Sequence, residues 1–471
     1  MLVAAIYAAN KTAAQHDIEQ ALKFPIDAVE LRLDFWRNLN LADVAELKNA
    51  FDISMIFTLR SKKQGGVFAG SEKERLNIIA ELFAVKPEYF DLEFDVAKSF
   101  IAKVHGNYPN TKLICSYHDF DATPHDLIDI LESMKNDAFS IYKIATKANS
   151  TIDALRMLSF VRESSVYIGV CGLCMGKVGQ VTRILSPIVN NALNYAVVND
   201  DNLNVLGQLD LVTLFDIYNY RKLNSYTDVY ALLGDPVDQS IGHIFHNKKF
   251  RDIKQNAVYV KLPLRQGEEQ DFMRAAMQLP FKGFSVTMPL KESLLPFVSL
   301  SGDANKIQAI NTIKIVDEKL VAFNTDGIGV LNSLEKITTI KEKKLLLVGA
   351  GGTARAIAYE AMKRGAMVMV VNRTLSRAKK LANEFGCYFE SLLGFDVKNC
   401  NYDILVNATS VSLISHMIFS KKIVVNVVYN SPEADKLLQY AGSKDCKIVS
   451  GKDVFRSQAV EQQRIWNGES L

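Results

Sequence analysis

The chain has 471 residues, of which 48% are hydrophobic and 23% charged. That is globular composition, which excludes disorder as the main state, and the length suggests about three domains at roughly 150 residues each. Lys and Arg number 55 against 52 Asp and Glu, a formal charge of +3, which points away from a nucleic-acid or membrane-surface binder. The six cysteines lie far apart except Cys171 and Cys174, so no disulfide framework is expected and a reducing cytosol fits.

The first segment, Met1 to Tyr7, is apolar without a preceding basic region and reads as a strand rather than a signal peptide. No apolar run reaches the ~18 residues of a membrane-spanning helix, so a cytoplasmic protein is expected. Short β-rich runs then recur near residues 28–33, 54–60, 89–94, 111–117, 140–145 and 166–171, with a weaker one near 195–205. Helical stretches such as 71–84 and 151–161 lie between them. Eight β-then-α units at intervals of about 26 residues predict a (β/α)8 barrel. Active sites of such barrels lie at the C-terminal strand ends. Glu30, Arg32, Arg60, Glu93, His118 and Lys143 fall there, with Arg183 after the seventh strand. An aliphatic barrel core rejects unpaired charge, so their gathering on one rim marks a site. Lys143 sits inside the apolar run Ile141 to Ala145. Desolvation is expected to lower its pKa, and a neutral amine can attack a ketone and form an imine. His118 titrates near neutral pH and can take and return a proton.

A polar break covers 218–228, and a new alternation begins at Val229. Strands are predicted at 230–234, 257–262, 344–350, 367–371, 403–407, 422–427 and 446–449, with helices between. Gly349-Ala350-Gly351-Gly352 follows a strand and opens the predicted helix Arg355 to Arg364. Glycines there bring backbone N–H groups to a pyrophosphate at a helix N-terminus. The next strand ends in Asn372-Arg373-Thr374, with Arg377 a turn later. A cation where NAD enzymes hold an acid suits the 2′-phosphate of NADP. Lys291 and Asp326, if paired, can deliver a proton to an alkoxide formed at a carbonyl.

Val29 to Asp34, Phe57 to Arg60 with Gln64-Gly65-Gly66, Asp91-Leu92-Glu93, Ser116 to Phe120 with Thr123-Pro124, Lys143-Ile144-Ala145 and Met175-Gly176-Lys177 with Thr182-Arg183 resemble type I 3-dehydroquinate dehydratases, in order over residues 1 to about 220. The resemblance implies that Lys143 forms a Schiff base and that His118, paired with Glu93, is the general acid/base. It implies that Glu30, Arg32, Arg60, Arg183 and Gln208 hold the substrate. The lid motif departs from the family, reading Asn204-Val205-Leu206-Gly207-Gln208. From 229 to 468, Gly234 to Val237, Ser240, His246-Asn247, Gly283 to Lys291, Ala309 to Thr312, Asn324 to Gly329, the glycine loop, Asn407 to Ser410 and Gly451 with Gln458 resemble shikimate dehydrogenases. That resemblance implies Lys291 and Asp326 as catalytic dyad and Ser240, Thr287, Asn311, Tyr429 and Gln458 as substrate contacts. It implies Gly349, Ala350, Gly351, Gly352, Asn372, Arg373, Thr374, Arg377 and Thr409 as the NADP site. Gly242 stands where the family has a serine for the substrate carboxylate, which leaves room for a bulkier acid such as quinate. Ser285 and Ser412 replace a usual asparagine and glycine.

The expected fold is α/β: a TIM barrel over 1–222, a shikimate dehydrogenase-like substrate lobe over 229–325 completed by the helix 452–471, and a Rossmann lobe over 326–451. The expected function is bifunctional: 3-dehydroquinate is dehydrated to 3-dehydroshikimate, which is reduced with NADPH to shikimate. Partners are these small molecules, with no nucleic acid, no membrane and no assigned oligomeric state. The alternatives are a second half acting on quinate, or a non-catalytic sensor of these metabolites, against which the retained Lys143, His118, Lys291 and Asp326 speak. Cys171 and Cys174 read as core beside the seventh strand, and no metal site is expected. His243 and His246 lack a carboxylate at metal-ligand spacing, and the lysines of 341–344 read as a solvated turn.

Overall fold

The computed structural model describes residues 1–198, 207–396, 400–409, 417–418, 420–429 and 432–469. The chain divides into two compact units. One comprises 1–229, 243–264 and 271–280, and the other 230–242, 265–270 and 281–471.

Eight strands of the first unit form one parallel sheet: β1 (Leu2–Ile6), β2 (Ala28–Arg32), β3 (Ser54–Thr58), β4 (Tyr89–Glu93), β5 (Lys112–Asp119), β6 (Phe139–Lys147), β7 (Val170–Met175) and β8 (Asn194–Val197). Their order is β7-β6-β5-β4-β3-β2-β1-β8. The two end strands are tied together outside the ladder. Ala192 N–H donates to Val170 O at 2.8 Å, and the Asn191 amide exchanges two 3.0 Å bonds with the backbone of Gly172. The strands are buried on both faces, which is why they read as nearly continuous apolar runs. Side chains alternate along each strand, and the inward positions stack in layers. Val3, Ala28, Ile56, Ile114, Ile141 and Leu193 pack the floor. Two residues further along come Glu30, Thr58, Asp91, Ser116, Lys143 and Tyr195, and two further Arg32, Arg60, Glu93 and His118. Helices Glu72–Leu82 and Thr151–Ser164 each begin with a capping box, from Ser71 with Glu74 and from Ser150 with Asp153.

Two strand positions differ from expectation. The seventh lies at Val170–Met175 rather than 166–171. Val166 and Tyr167 are β-prone but 73% and 85% exposed, so propensity yields to the inward fit of the residues that follow. Cys171 and Cys174 consequently lie within the strand rather than beside it. They are free thiols whose burial pushes their pKa values up to about 12 and about 11. The eighth strand ends at Val197, and most of the expected run to 205 lies outside the described residues.

The later strands are β9 (Asp228–Gly234), β10 (Ala257–Pro263), β11 (Phe281–Val286), β12 (Ser299–Leu300), β13 (Thr312–Val316) and β14 (Lys319–Phe323). Within the second unit the order runs β9-β11-β13-β14-β12. The β13–β14 hairpin was not expected from sequence. Its turn residues, Asp317 and Glu318, both take positive φ, 47° and 62°, in positions where Asn-Gly is the ordinary signal. A second parallel sheet follows: β15 (Lys344–Val348), β16 (Met367–Asn372), β17 (Tyr388–Ser391), β18 (Ile404–Asn407), β19 (Ile423–Asn426) and β20 (Lys447–Val449). Its order β17-β16-β15-β18-β19-β20 is that of a dinucleotide-binding sheet, with the ligand crevice at the β15/β18 switch point. No helix among the described residues is long and apolar enough to cross a membrane.

Candidate active sites

The two upper layers of the barrel hold a linked set of charges. Lys143 Nζ lies 3.0 Å from Asp91 Oδ2 and 3.5 Å from Glu30 Oε1, with the Tyr195 ring face 4.1 Å away. Arg60 reaches the same Asp91 oxygen at 2.9 Å, and Ser116 Oγ donates to its other oxygen at 2.6 Å. Burial would raise the Asp91 pKa, but Arg60 and Lys143 hold it well below the usual carboxylate range. The expected lowering of the Lys143 pKa is not what this geometry produces. Burial pulls it down, yet Asp91 and Glu30 pull harder, and the net direction is up.

Arg32 forms a two-pronged pair with Asp34 at 3.0 and 2.9 Å and lies over the Tyr7 and Phe35 rings. Arg183 differs from these neighbours. It is 4% exposed, donates to Cys174 O at 2.6 Å, leaves its Nε without a partner and meets no carboxylate among the described residues. Burial accordingly lowers its pKa. Gln208 donates to the Tyr7 hydroxyl at 2.8 Å and leaves its Oε1 unpaired. These groups, with His118, line a cavity of about 100 Å³ above Lys143. Asn204 of the lid motif lies outside the described residues.

The expected His118–Glu93 pair is replaced by two others. Glu93 accepts from Ser61 N and Oγ at 2.7 and 2.9 Å and pairs with Arg75 at 3.1 Å. Such a carboxylate is already satisfied, so it fixes the loop after β3 instead of the imidazole. His118 faces Gln64, whose Oε1 accepts from the His118 backbone N–H at 3.1 Å and lies 3.2 Å from Nδ1. One oxygen accepting from that amide must also face Nδ1, so Nδ1 carries the hydrogen and Nε2 keeps its lone pair. Burial, Arg60 and Lys143 push the His118 pKa well below 6.5.

In the second unit, Lys291 Nζ is bonded to Asp326 Oδ2 and, at 2.9 Å, to Thr353 Oγ1, which itself donates to Asp326 at 3.1 Å. Asp326 sits at the start of the helix Asp326–Glu335, where the helix dipole favours its charge. Its other oxygen accepts from Asn311 Nδ2 at 2.7 Å. Asn311 is fully buried and also accepts from Thr325 N at 2.8 Å. Gln458 shares this neighbourhood, since its backbone carbonyl accepts from Thr325 Oγ1 at 3.4 Å. Thr287 packs against Gly234. Ser240 and Tyr429 are bonded to each other, and burial raises the Tyr429 phenol. Ser285 has a partner of its own, donating to Gln462 Oε1 at 2.9 Å. Gly242 N–H donates to Ser240 Oγ at 3.1 Å.

The glycine loop is open at Gly351. A Cβ on Gly351 would meet nothing within 4 Å, Gly349 has φ +119°, and Gly351 is the N-cap of the helix Gly352–Lys363. Ala350 lies in the same loop and Thr409 beside it, its Oγ1 donating to Asn407 at 2.8 Å. At the end of β16, Asn372 Nδ2 donates to Thr374 O at 3.0 Å. Arg373 and Arg377 are exposed and make no ion pair among the described residues. Two cations free for a phosphate are what a 2′-phosphorylated cofactor needs. Ser412 lies outside the described residues.

Sequence reasoning passed over Asp91, Tyr195, Gln64 and Thr353 as site groups. Asp91 could have been found: it is two residues before Glu93 and therefore on the same inward face. No group of three or more His, Cys, Asp or Glu among the described residues is arranged to hold a metal.

Comparison with known proteins adds to this geometry. The family model for type I 3-dehydroquinase matches residues 2–225, that for the shikimate dehydrogenase substrate binding domain matches 232–313, and that for shikimate / quinate 5-dehydrogenase matches 332–438. An Arabidopsis thaliana protein named bifunctional 3-dehydroquinate dehydratase/shikimate dehydrogenase, chloroplastic, is 31% identical over 487 residues, covering 96% of this chain and 79% of its own. The shikimate biosynthesis protein AroDE of Chlamydia pneumoniae is 32% identical over 471 residues, covering 99% and 95%. The shikimate dehydrogenase (NADP(+)) of Pyrococcus furiosus is 35% identical over 254 residues, covering 52% of this chain and 93% of its own. Matched over nearly all its length by relatives that join the same two parts in the same order, the chain belongs to the family of bifunctional 3-dehydroquinate dehydratase/shikimate dehydrogenases.

Proposed function

We propose that the chain dehydrates 3-dehydroquinate to 3-dehydroshikimate in the barrel and reduces that product to shikimate with NADPH in the second unit. The observation that carries the first step is a buried amine, Lys143, below a cavity into which Arg183 brings an uncompensated positive charge. A substrate with a ketone and a carboxylate answers both groups. Lys143 first passes a proton to the open Nε2 of His118. The Lys143 nitrogen then bonds to the ketone carbon, and the carbonyl oxygen takes one proton from that nitrogen and one back from His118 and leaves as water, giving an iminium and a neutral His118. That cation acidifies the adjacent C–H. His118, neutral with Nε2 open, takes this proton and returns it to the departing hydroxyl, and hydrolysis of the imine frees the amine. Glu30, Arg32, Arg60 and Gln208 hold the hydroxyls and orient the ring, and Glu93 positions the loop above it.

In the second unit Gly349 to Gly352, Asn372, Arg373, Thr374, Arg377 and Thr409 hold NADP. When bound, NADPH supplies the hydride to the ketone carbon. Lys291 gives its proton to the oxygen that gains charge, and Asp326, held by Asn311 and Thr353, keeps Lys291 protonated and aimed. Ser240, Thr287, Tyr429 and Gln458 complete the substrate contacts. The division into 1–222, 229–325 with 452–471, and 326–451 belongs to the same reading, as does a cytoplasmic setting. The test is direct. Purified protein given 3-dehydroquinate should form the conjugated product, and only with NADPH should that product be consumed. Failure of either step removes that half of the proposal.

A further inference from the structure

The phenol of Tyr195 has no place in the roles above, yet it stands in the same layer as Lys143. It is carried on β8 opposite Val3 of β1 and lines the cavity over the amine. Tyr195 is 3% exposed, and its hydroxyl has no hydrogen-bond partner among the described residues. Leaving a buried hydroxyl unpaired is destabilising, because its hydration is lost and nothing replaces it. A phenylalanine would give the same ring face to Lys143 without that cost, so packing alone does not account for the oxygen. Neither nearby carboxylate accepts it: the bonds to Glu30 Oε1 come from Thr58 and Lys143, and those to Asp91 from Arg60, Ser116 and Lys143.

Resting on the dehydratase reading, we propose that Tyr195 is a further catalytic residue, whose hydroxyl donates a hydrogen bond to the substrate oxygen on the carbon that Lys143 attacks. As the C–N bond forms, the carbonyl π pair moves onto that oxygen, which gains negative charge and then the proton given up by nitrogen. A fixed donor is worth most at the moment the charge develops. The phenol serves as a donor and not as an acid. Burial and the nearby Glu30 push its pKa well above 10, so it stays protonated throughout. The ring holds the Lys143 ammonium on its face before attack, and the hydroxyl takes up the oxygen that arrives with the ketone.

The experiment compares Tyr195→Phe with the unaltered full-length chain in three measurements. The first is steady-state dehydration of 3-dehydroquinate, the second reduction of 3-dehydroshikimate, and the third thermal unfolding. The expected result is a fall in dehydration kcat on the order of 10²-fold with KM nearly unchanged. Reduction should be unaffected and the melting temperature equal or higher, since an unpaired buried group has been removed. Borohydride trapping at Lys143 should slow in parallel. Unchanged kcat overturns the assignment, as does a loss confined to KM. A lowered melting temperature overturns it too, because it would show that the hydroxyl serves the fold. If the unaltered chain neither dehydrates 3-dehydroquinate nor is trapped, the underlying dehydratase reading fails and the Tyr195 role fails with it.

Discussion

Two lysines of this chain lie against buried carboxylates, and their surroundings suit them to different work. Lys143 is 8% exposed at its side chain and sees two carboxylates and an aromatic face. Lys291 is 16% exposed and sees one carboxylate and a threonine hydroxyl. The first amine is held as a cation by its carboxylates, so in the proposed role it must be released from them before it can attack a carbonyl. The second keeps a simple hydrogen-bonded dyad beside a glycine loop, enough to hand over a proton. An amine that must form a bond is surrounded, whereas one that lends a proton is aimed.

The contrast breaks most sharply with Lys143→Ala. Dehydration should fall on the order of 10⁴-fold or more, because the covalent path is lost. Reduction of 3-dehydroshikimate should stay intact, and borohydride with 3-dehydroquinate should no longer add mass at position 143. Comparable loss of both activities would show that the two lysines do not act separately. Next, Lys291→Met or Asp326→Asn should lower reduction by about 10²–10⁴-fold and leave dehydration alone, as measured on each substrate in turn.

A pH profile sharpens the comparison further. His118 must be neutral to act as base, and its pKa is pushed below 6.5. Dehydration kcat/KM should therefore hold across pH 6.5 and fall only on further acidification. The same depression makes the fold lose stability with acid: below 6.5 the unfolded chain takes up a proton at His118 that the folded chain refuses. An acid limb above 6.5 in the dehydration profile would contradict this reading of the site.

Arg373→Ala offers a smaller effect. The side chain is exposed, so its contact with a 2′-phosphate should be worth about 1 kcal/mol, roughly fivefold in NADPH affinity, with NADH unaffected. Equal loss of both cofactors would remove Arg373 as discriminator. Smallest is Gly242→Ser, expected to tighten shikimate by about two- to tenfold through a hydrogen bond to its carboxylate. Steady-state kinetics on shikimate and quinate decide it. Gly242 already donates its backbone N–H to Ser240, so an unimproved variant would mean that the Ser240–Tyr429 pair serves the carboxylate without help.

The repeating strands of the barrel were legible because fully buried parallel strands are apolar without interruption. So was the dinucleotide sheet, through its glycine loop. The β13–β14 hairpin was not, because Asp317 and Glu318 carry no turn signature. Among site groups, charged residues at strand ends could be read singly, but their pairing could not. Glu93 turned out to belong to Ser61 and Arg75, and Lys143 has its pKa raised, because partners across a barrel come from strands far apart in sequence. Thr353 was visible only as part of a cofactor loop, and its hydroxyl reaches the Lys291–Asp326 pair in the folded chain alone.

The cysteines give each part of the molecule its own clock. Cys115, Cys171 and Cys174 are buried in barrel strands, with thiols pushed up to about 12, 12 and 11. Cys387, Cys400 and Cys446 are half-buried in the second unit. Alkylation needs an accessible thiolate, so the first three report only opening of the barrel, while the other three answer to shallower fluctuations. Timed labelling followed by mass mapping thus reads the local opening of the two units separately within one unaltered chain, and a bound ligand should slow only the set in the unit it occupies.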